Sequence, residues 1–324
     1  MPSERPTFSV VIPTRNRAEL VGRALRSVAA QTFDDYEIIV VDDGSTDSTP
    51  AFLETVRGPK CRALRNERGQ GVSIARNLGA GAATGEWICF LDDDDEMRPH
   101  ALASLYARSI SGPKLDFLWV GRLIHERDRS RRELSRREDD WTRLPPTVSG
   151  SSFLALVLKI ATNSLFTIRR SVFAAVGGFD EKLRMSEDRD MFITLAESGY
   201  QGGAVAETLL DVDEGSASLS RGAASRGGPD IDLKVIDKHA GYLRRPEHHE
   251  FLNDYLVAVY AGYLEEGSRS AAMRMVGELR RRRALKYMVL RLYVRHAPEF
   301  RALKRLIRYD LIRRRRLLRS LKQA

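Results

Sequence analysis

Apolar runs alternate with segments of helical period through the first hundred residues. Phe8 to Ile12 is β-branched, apolar and stopped by Pro13 and Thr14, which predicts a buried strand. Ala18 to Gln31 then carries Leu20, Val21, Ala24, Leu25 and Val28 at helical spacing. Glu37 to Val41 reads as a second buried strand, and Asp42-Asp43-Gly44-Ser45-Thr46-Asp47 as a turn that caps a helix running to about Val56. A weaker strand at Arg62 to Arg65, a loop at Gly69 to Gly71, a small-residue helix from Val72 to Ala83 and a fourth strand from Trp87 to Leu91 complete the alternation. This order predicts an α/β fold with a doubly wound, mostly parallel sheet flanked by helices, whose ligands sit outside the carboxyl ends of the strands. Three polar clusters fall at such ends: Pro13 to Asn16, Asp42-Asp43, and Asp92 to Asp95.

The later pattern is different. Glu126 to Arg143 is charged, nearly free of aliphatics and without period, so it reads as a mobile loop that could serve as a lid. From Asp230 onward the pattern is helical, with no strand signal. Phe300 to Leu321 sets Leu303, Leu306, Ile307, Leu311, Leu317, Leu318 and Leu321 against a basic remainder.

Composition changes this picture little; the distribution of charge changes it more. With 324 residues, 43% apolar and 30% charged, the chain can bury a large core. The two cysteines, Cys61 and Cys89, fall in predicted strands, read as small buried hydrophobes and fit a reducing, cytoplasmic setting. No run approaches the ~18 apolar residues of a membrane span. The histidines show no metal spacing and are expected to be surface or structural. The net charge is +9, yet residues 268–324 hold 19 Lys and Arg against three acids, a net of +16 that leaves the first 267 residues at −7. An acidic globular part is therefore joined to a basic tail. That tail fits an anionic inner membrane face, at ~1 kcal/mol per basic residue near the surface, or packing on the globular part or on a second subunit of a homo-oligomer. Nucleic acid is the weaker match, because the tail lacks aromatic stacking platforms and the rest of the chain repels phosphate.

The chemistry concentrates at Trp87 to Glu96. An apolar strand empties directly into Asp92, Asp93, Asp94, Asp95 and Glu96. Fixing that many carboxylates beside a packed strand costs stability unless a cation or a hydrogen-bond network absorbs the charge. Mg²⁺ or Mn²⁺, held by one or two carboxylates and by substrate phosphate, matches a short acidic loop. Neither a Gly-x-Gly-x-x-Gly fingerprint nor a phosphate-binding Gly-rich loop follows the first strand, so the phosphates are expected to be held through metal.

These residues resemble a known family. Ser9 to Arg17, Ser27 to Thr32, Glu37 to Thr49, Gly71 to Gly79, Ala83 to Glu86, Phe90 to Asp95, Arg169 to Phe173, Gly177 to Glu181 and Ser186-Glu187-Asp188 look like the family 2 glycosyltransferases with their GT-A fold, over roughly residues 7–220. The resemblance implies that Thr14 and Asp42 contact the nucleoside, Arg76 its base or a phosphate, and Asp92 and Asp93 the ribose or the near side of the diphosphate. It makes Asp94 the metal ligand and Asp188 the general base. Glu187, Asp43 and Asp95 read as supporting neighbours. Many relatives carry an Arg-x-His after the last strand of the domain; here the stretch is Asp211 to Ser216, with Asp213 in the approximate place of the histidine. The expected organisation is a GT-A domain over 1–228, with a nucleotide-binding half at about 7–124 and an acceptor half at about 144–228. A helical basic extension follows over 229–324. The implied activity is metal-dependent, inverting transfer from a nucleoside-diphosphate sugar, most plausibly UDP-linked, to a glycan or lipid-linked saccharide in cell-surface polysaccharide synthesis. A non-catalytic scaffold that kept the fold and a sugar nucleotidyltransferase are the alternatives.

Overall fold

The computed structural model describes residues 5–127, 133–139, 141–160, 164–214, 228–268, 270–272 and 274–275. Its first half is built as the pattern predicts. Strand β1 (Phe8–Thr14) leads to helix α1 (Ala18–Ala29), β2 (Tyr36–Asp43) to α2 (Thr49–Thr55), and β3 (Cys61–Asn66) to α3 (Val72–Ala82), before β4 (Trp87–Phe90). These strands lie in the order β3-β2-β1-β4 and pair in parallel throughout. Both faces are covered, which is why the runs are apolar without alternation. Phe8, Val10 and Ile12 pack in one core with Val21, Leu25 and Val28 of α1. Val11 and Val41 face α3, where a Cβ on Gly79 would stand 2.4 Å from Val11 Cγ1.

Pro13 does not end the first strand, as its sequence position suggested. The pairing of β1 with β4 stops at Val11↔Phe90, while the pairing with β2 continues to Thr14↔Asp42. Pro13 thus falls where β1 has a single neighbour, and its missing N–H leaves the ladder intact.

The remaining strands are mixed in direction. They are β5 (Glu96–Met97), β6 (Phe117–Arg127), β7 (Glu133–Glu138), β8 (Phe166–Arg169) and β9 (Gly202–Glu214). The sheet order continues β4-β8-β6-β9-β5, with β8 antiparallel to β4 and β9 parallel to β6. Between them run α4 (Ala101–Ile110), α5 (Gly150–Ile160), α6 (Arg170–Ala175) and α7 (Glu187–Glu197).

The loop expected at Glu126 to Arg143 is corrected over its described part. β7 pairs antiparallel to β6 as a hairpin arm from Leu123↔Glu138 to Arg127↔Glu133. Arg122 Nε donates to Asp139 Oδ2 at 2.5 Å, and the indole of buried Trp141 donates to the Val120 carbonyl. Backbone pairing and charge pairs hold this edge in place of the aliphatic residues that mark an ordinary strand.

The first compact unit runs to His248. Helix α8 (Gly228–Lys238) is tied to it by ion pairs, Asp232 with Arg189 at 2.7 Å and Lys238 with Asp190 at 2.8 Å. A short helix, α9 (Ala240–Leu243), follows. The second unit begins at His249 with α10 (His249–Glu265), on which the rings of Phe251 and Tyr255 are in contact. The basic amphipathic stretch at Phe300 to Leu321 lies outside the described residues.

Candidate active site

The three polar clusters meet at the carboxyl ends of β1, β2 and β4. Thr14 and Asp42 are register partners at the ends of adjacent strands. Thr14 Oγ1 donates to Asp93 Oδ2 at 2.7 Å, which joins the end of β1 to the acidic run after β4. Asp42 is buried; its Oδ1 accepts from the Ser45 N–H at 2.8 Å and its Oδ2 from Arg65 Nη1 at 2.5 Å. The turn that makes this possible passes through Gly44 at φ 71°, where a Cβ would lie 2.5 Å from the Arg68 backbone.

Asp43 does more than support its neighbour. Its carboxylate accepts from Asn66 Nδ2 at 2.7 Å, from the Gln70 N–H at 3.0 Å and from the Gly71 N–H at 2.8 Å. One side chain at the end of β2 therefore fixes the loop that leads into α3, and with it Arg76.

Arg76 is a buried tie. Nη2 donates to Asp92 Oδ1 and Nη1 to Glu187 Oε1, each at 2.6 Å, and the guanidinium lies 5.6 Å from the centre of the Phe179 ring. Burial lowers its affinity for a proton, but Asp92 and Glu187 more than reverse this and keep it charged. The next residue, Asn77, exchanges hydrogen bonds with both backbone groups of Phe179 and so pins the Gly177-Gly178-Phe179 turn. The acidic run and the start of α7 are thus held by Arg76, and the preceding turn by the next residue of the same helix.

The acidic run is under electrostatic stress. Burial, then Asp92 and Asp93, push the Asp94 carboxyl up to about 7 against the pull of Arg17. Burial also raises Asp93, although Arg17 and Thr14 oppose it, and raises Asp95 well above the ordinary range, helped by Asp92 and Asp94. Asp95 takes hydrogen bonds from the Ser164 side chain and the Asp213 backbone, so β9 brings Asp213 against the run. Hard oxygen donors that resist ionisation when left alone are the donor set a hard divalent cation relieves. Among the described residues no three His, Cys, Asp or Glu side chains converge as a closed metal cage. The donor set suits a cation that draws its remaining ligands from phosphate and water.

At the other side of Arg76, Asp188 lies in the first turn of α7. Burial and the adjacent Glu187 push its carboxyl up to about 6, against the Arg189 N–H, which donates to Oδ1 at 2.7 Å, and against Arg76. A helix N-terminus favours the anion, but burial and Glu187 outweigh it here. Ser186 precedes it in the left-handed conformation, φ 59°, an unfavourable setting for a non-glycine residue. Asp232 of α8 holds it there, accepting from Ser186 Oγ at 2.6 Å and from Arg189 Nη1 at 2.7 Å.

Every expected site residue therefore lies in one connected cluster. Arg76 carries two carboxylate partners, a tie its sequence position did not reveal. Arg17, Arg65 and Asp232 were not anticipated, and Asp43 was expected only as a supporting neighbour. Arg17 had a readable signal: a basic residue just before a helix, where the dipole disfavours a cation, needs another reason for its place. Asp43, Arg65 and Asp232 carry no such signal, because their partners lie 20 or more residues away in sequence.

Comparison with known proteins agrees with this architecture. Over 236 residues the chain is 33% identical to the succinoglycan biosynthesis protein ExoO of Rhizobium meliloti (strain 1021), covering 66% of this chain and 63% of that protein. The fold resembles S. aureus TarS 1-349 in complex with UDP-GlcNAc, with a TM-score of 0.57 and 18% identity over 83% of this chain and 89% of that one. It also resembles the mannosyltransferase PcManGT of Pyrobaculum calidifontis in complex with GDP-Man and Mn²⁺, with a TM-score of 0.56 and 17% identity over 95% of this chain and 86% of that one. These likenesses are to GT-A folds. The model of glycosyl transferase family 2 matches residues 9–177, and the chain is a member of glycosyl transferase family 2.

Proposed function

We propose that this chain is a metal-dependent, inverting glycosyltransferase that moves a sugar from a nucleoside-diphosphate donor, UDP-linked, to a hydroxyl of a glycan or lipid-linked saccharide in cell-surface polysaccharide synthesis. The observation that carries the reading is the Arg76 tie, with Asp92 on one arm and Glu187, next to Asp188, on the other, both at 2.6 Å. A donor site with an acidic metal platform and a carboxylate of raised proton affinity are thereby held beside one another. The names of similar proteins support the substrate class: one serves succinoglycan synthesis, and two structures hold UDP-GlcNAc and GDP-Man with Mn²⁺.

Thr14 and Asp42 bind the nucleoside at the ends of β1 and β2, and the loop anchored by Asp43 forms the adjoining wall. Asp94, with Asp92 and Asp93 beside it, would hold Mg²⁺ or Mn²⁺, and the ion would neutralise the charge of the departing diphosphate. Asp188 takes the proton of the acceptor hydroxyl. Its Oδ1 is engaged by the Arg189 N–H, so Oδ2 receives the proton. A carboxylate lifted to about 6 is ionised at neutral pH yet more basic than a free one, which suits a general base. Attack from the face opposite the leaving diphosphate inverts the anomeric centre. No described helix is long and apolar enough to cross a membrane. Attachment to an anionic surface rests on the charge of the tail.

Calorimetric titration of UDP, GDP and dTDP with Mn²⁺, Mg²⁺ or chelator, on the wild type and Asp94→Ala, tests the reading. Metal-dependent binding of UDP that is lost in the variant is expected. If no nucleotide binds under any metal condition, the transferase reading gives way to a scaffold that kept the fold.

A further inference from the structure

Arg17 stands just before the first turn of α1. Its backbone is fixed at both ends of the residue, with the N–H donating to Thr49 Oγ1 at 3.0 Å and the carbonyl accepting from Val21 at 3.0 Å. From that anchor Nη1 reaches Asp93 Oδ1 at 2.9 Å and Asp94 Oδ2 at 3.2 Å, and its side chain is only 15% exposed. A cation at a helix N-terminus opposes the helix dipole, so its position is maintained by the two carboxylates. One nitrogen spans both oxygens, and Asp94 Oδ2 belongs to the carboxylate assigned above to the divalent ion.

We infer that Arg17 is the resident counter-cation of the acidic run and competes with a divalent ion for the same charge niche. It sets the order in which metal and donor load. The inference rests on the metal-dependent transferase reading. A guanidinium and a divalent ion within about 5 Å repel each other enough, even at high dielectric, to weaken metal binding by at least tenfold. Metal alone therefore binds poorly while Arg17 keeps its place. A nucleoside diphosphate changes the balance, because its oxygens offer the guanidinium the planar, paired acceptors it is shaped for and offer the ion further ligands. Arg17 would exchange its carboxylates for phosphate and leave Asp93 and Asp94 free to hold the ion, so that metal and donor would strengthen one another reciprocally. Thr14, which donates to Asp93 Oδ2, keeps that carboxylate oriented during the exchange.

The test follows the electron paramagnetic resonance signal of free Mn²⁺ during titration, with and without UDP, so that no turnover is needed. In the wild type, UDP is expected to tighten Mn²⁺ binding at least about tenfold. In Arg17→Gln, whose backbone anchors are untouched, Mn²⁺ alone is expected to bind about tenfold more tightly than in the wild type, and the gain on adding UDP shrinks. Arg17→Lys keeps the charge and stays near the wild type for Mn²⁺ alone. Thermal melting in parallel confirms that each variant is folded, and the wild-type arm needs no variant. Mn²⁺ binding to wild type alone that is as tight as with UDP would overturn the inference, as would an Arg17→Gln protein no tighter than wild type. Mn²⁺ that binds no form, with or without UDP, sinks the metal reading itself.

Discussion

Replacing Arg76 by methionine keeps most of the side-chain volume and leaves two carboxylates facing each other without a cation. The exposures decide how much this costs. The Arg76 side chain is 5% exposed, Glu187 11% and Asp92 27%, so the Glu187 arm is a buried pair and the Asp92 arm is partly wetted. A surface pair would contribute less than about 1 kcal/mol, whereas removing one partner of a buried pair costs about 3–5 kcal/mol. The wetted arm puts the loss near the lower figure, about 3 kcal/mol, or a fall of roughly 10 °C in Tm for a unit of this size. The cost comes from the stranded charges, so Glu187→Gln in the Arg76→Met background should restore part of it, a positive coupling in a double-mutant cycle. Activity gives a second signature. Arg76 lowers the proton affinity of Asp188, so without it the Asp188 carboxyl rises above about 6. A general base works only when ionised, so the acid limb of the kcat profile moves to higher pH. Differential scanning calorimetry on the single and double variants and a pH–rate profile provide the measurements. An Arg76→Met protein that melts within about 2 °C of the wild type and keeps its acid limb would refute the reasoning.

Three other outcomes are expected. Asp188→Asn should lower kcat by about 10²–10⁴ with UDP affinity retained. The folded-state carboxyl lies at about 6 against an ordinary 3.8, so its stability contribution is complete below that lower value and is lost as pH rises through the window. The amide variant should therefore melt higher than the wild type at pH 7, by the equivalent of about 1–3 kcal/mol, in scanning calorimetry. Asp94→Asn, relieved of a carboxyl pushed up to about 7, should likewise gain stability at pH 8 while losing metal-dependent UDP binding in calorimetric titration. Asp43→Ala removes the acceptor for Asn66, Gln70 and Gly71 and should cost about 2–4 kcal/mol in denaturant titration, with weaker UDP binding.

The parallel half of the sheet was legible because its strands are buried on both faces and its helices repeat at fixed spacing. β1, β2, β4 and α3 came within a few residues of their observed bounds. β7 was missed for the converse reason: Glu133, Arg136, Arg137 and Glu138 hold an edge hairpin through backbone pairing, and a hydrophobic pattern is blind to that. Asp42, Asp94 and Asp188 were named by the family resemblance, and the fold brings them to the same end of the sheet. The ties that aim them were not legible, because Arg17 reaches Asp93 across 76 residues and Ser186 reaches Asp232 across 46. A local pattern names an acid, but only the folded chain shows which cation it meets.

Those separations bear on how the protein folds. Thr14 and Asp93 are 79 residues apart, Asn77 and Phe179 102, and Arg76 and Glu187 111. Contacts that close such long loops form late, after the local strand–helix units have condensed. The candidate nucleotide site is then absent from the folding transition state, and a ligand that needs it has nothing to bind until the barrier is passed. UDP with metal should therefore leave the refolding rate unchanged and slow unfolding, lengthening the lifetime of the native enzyme without hastening its birth.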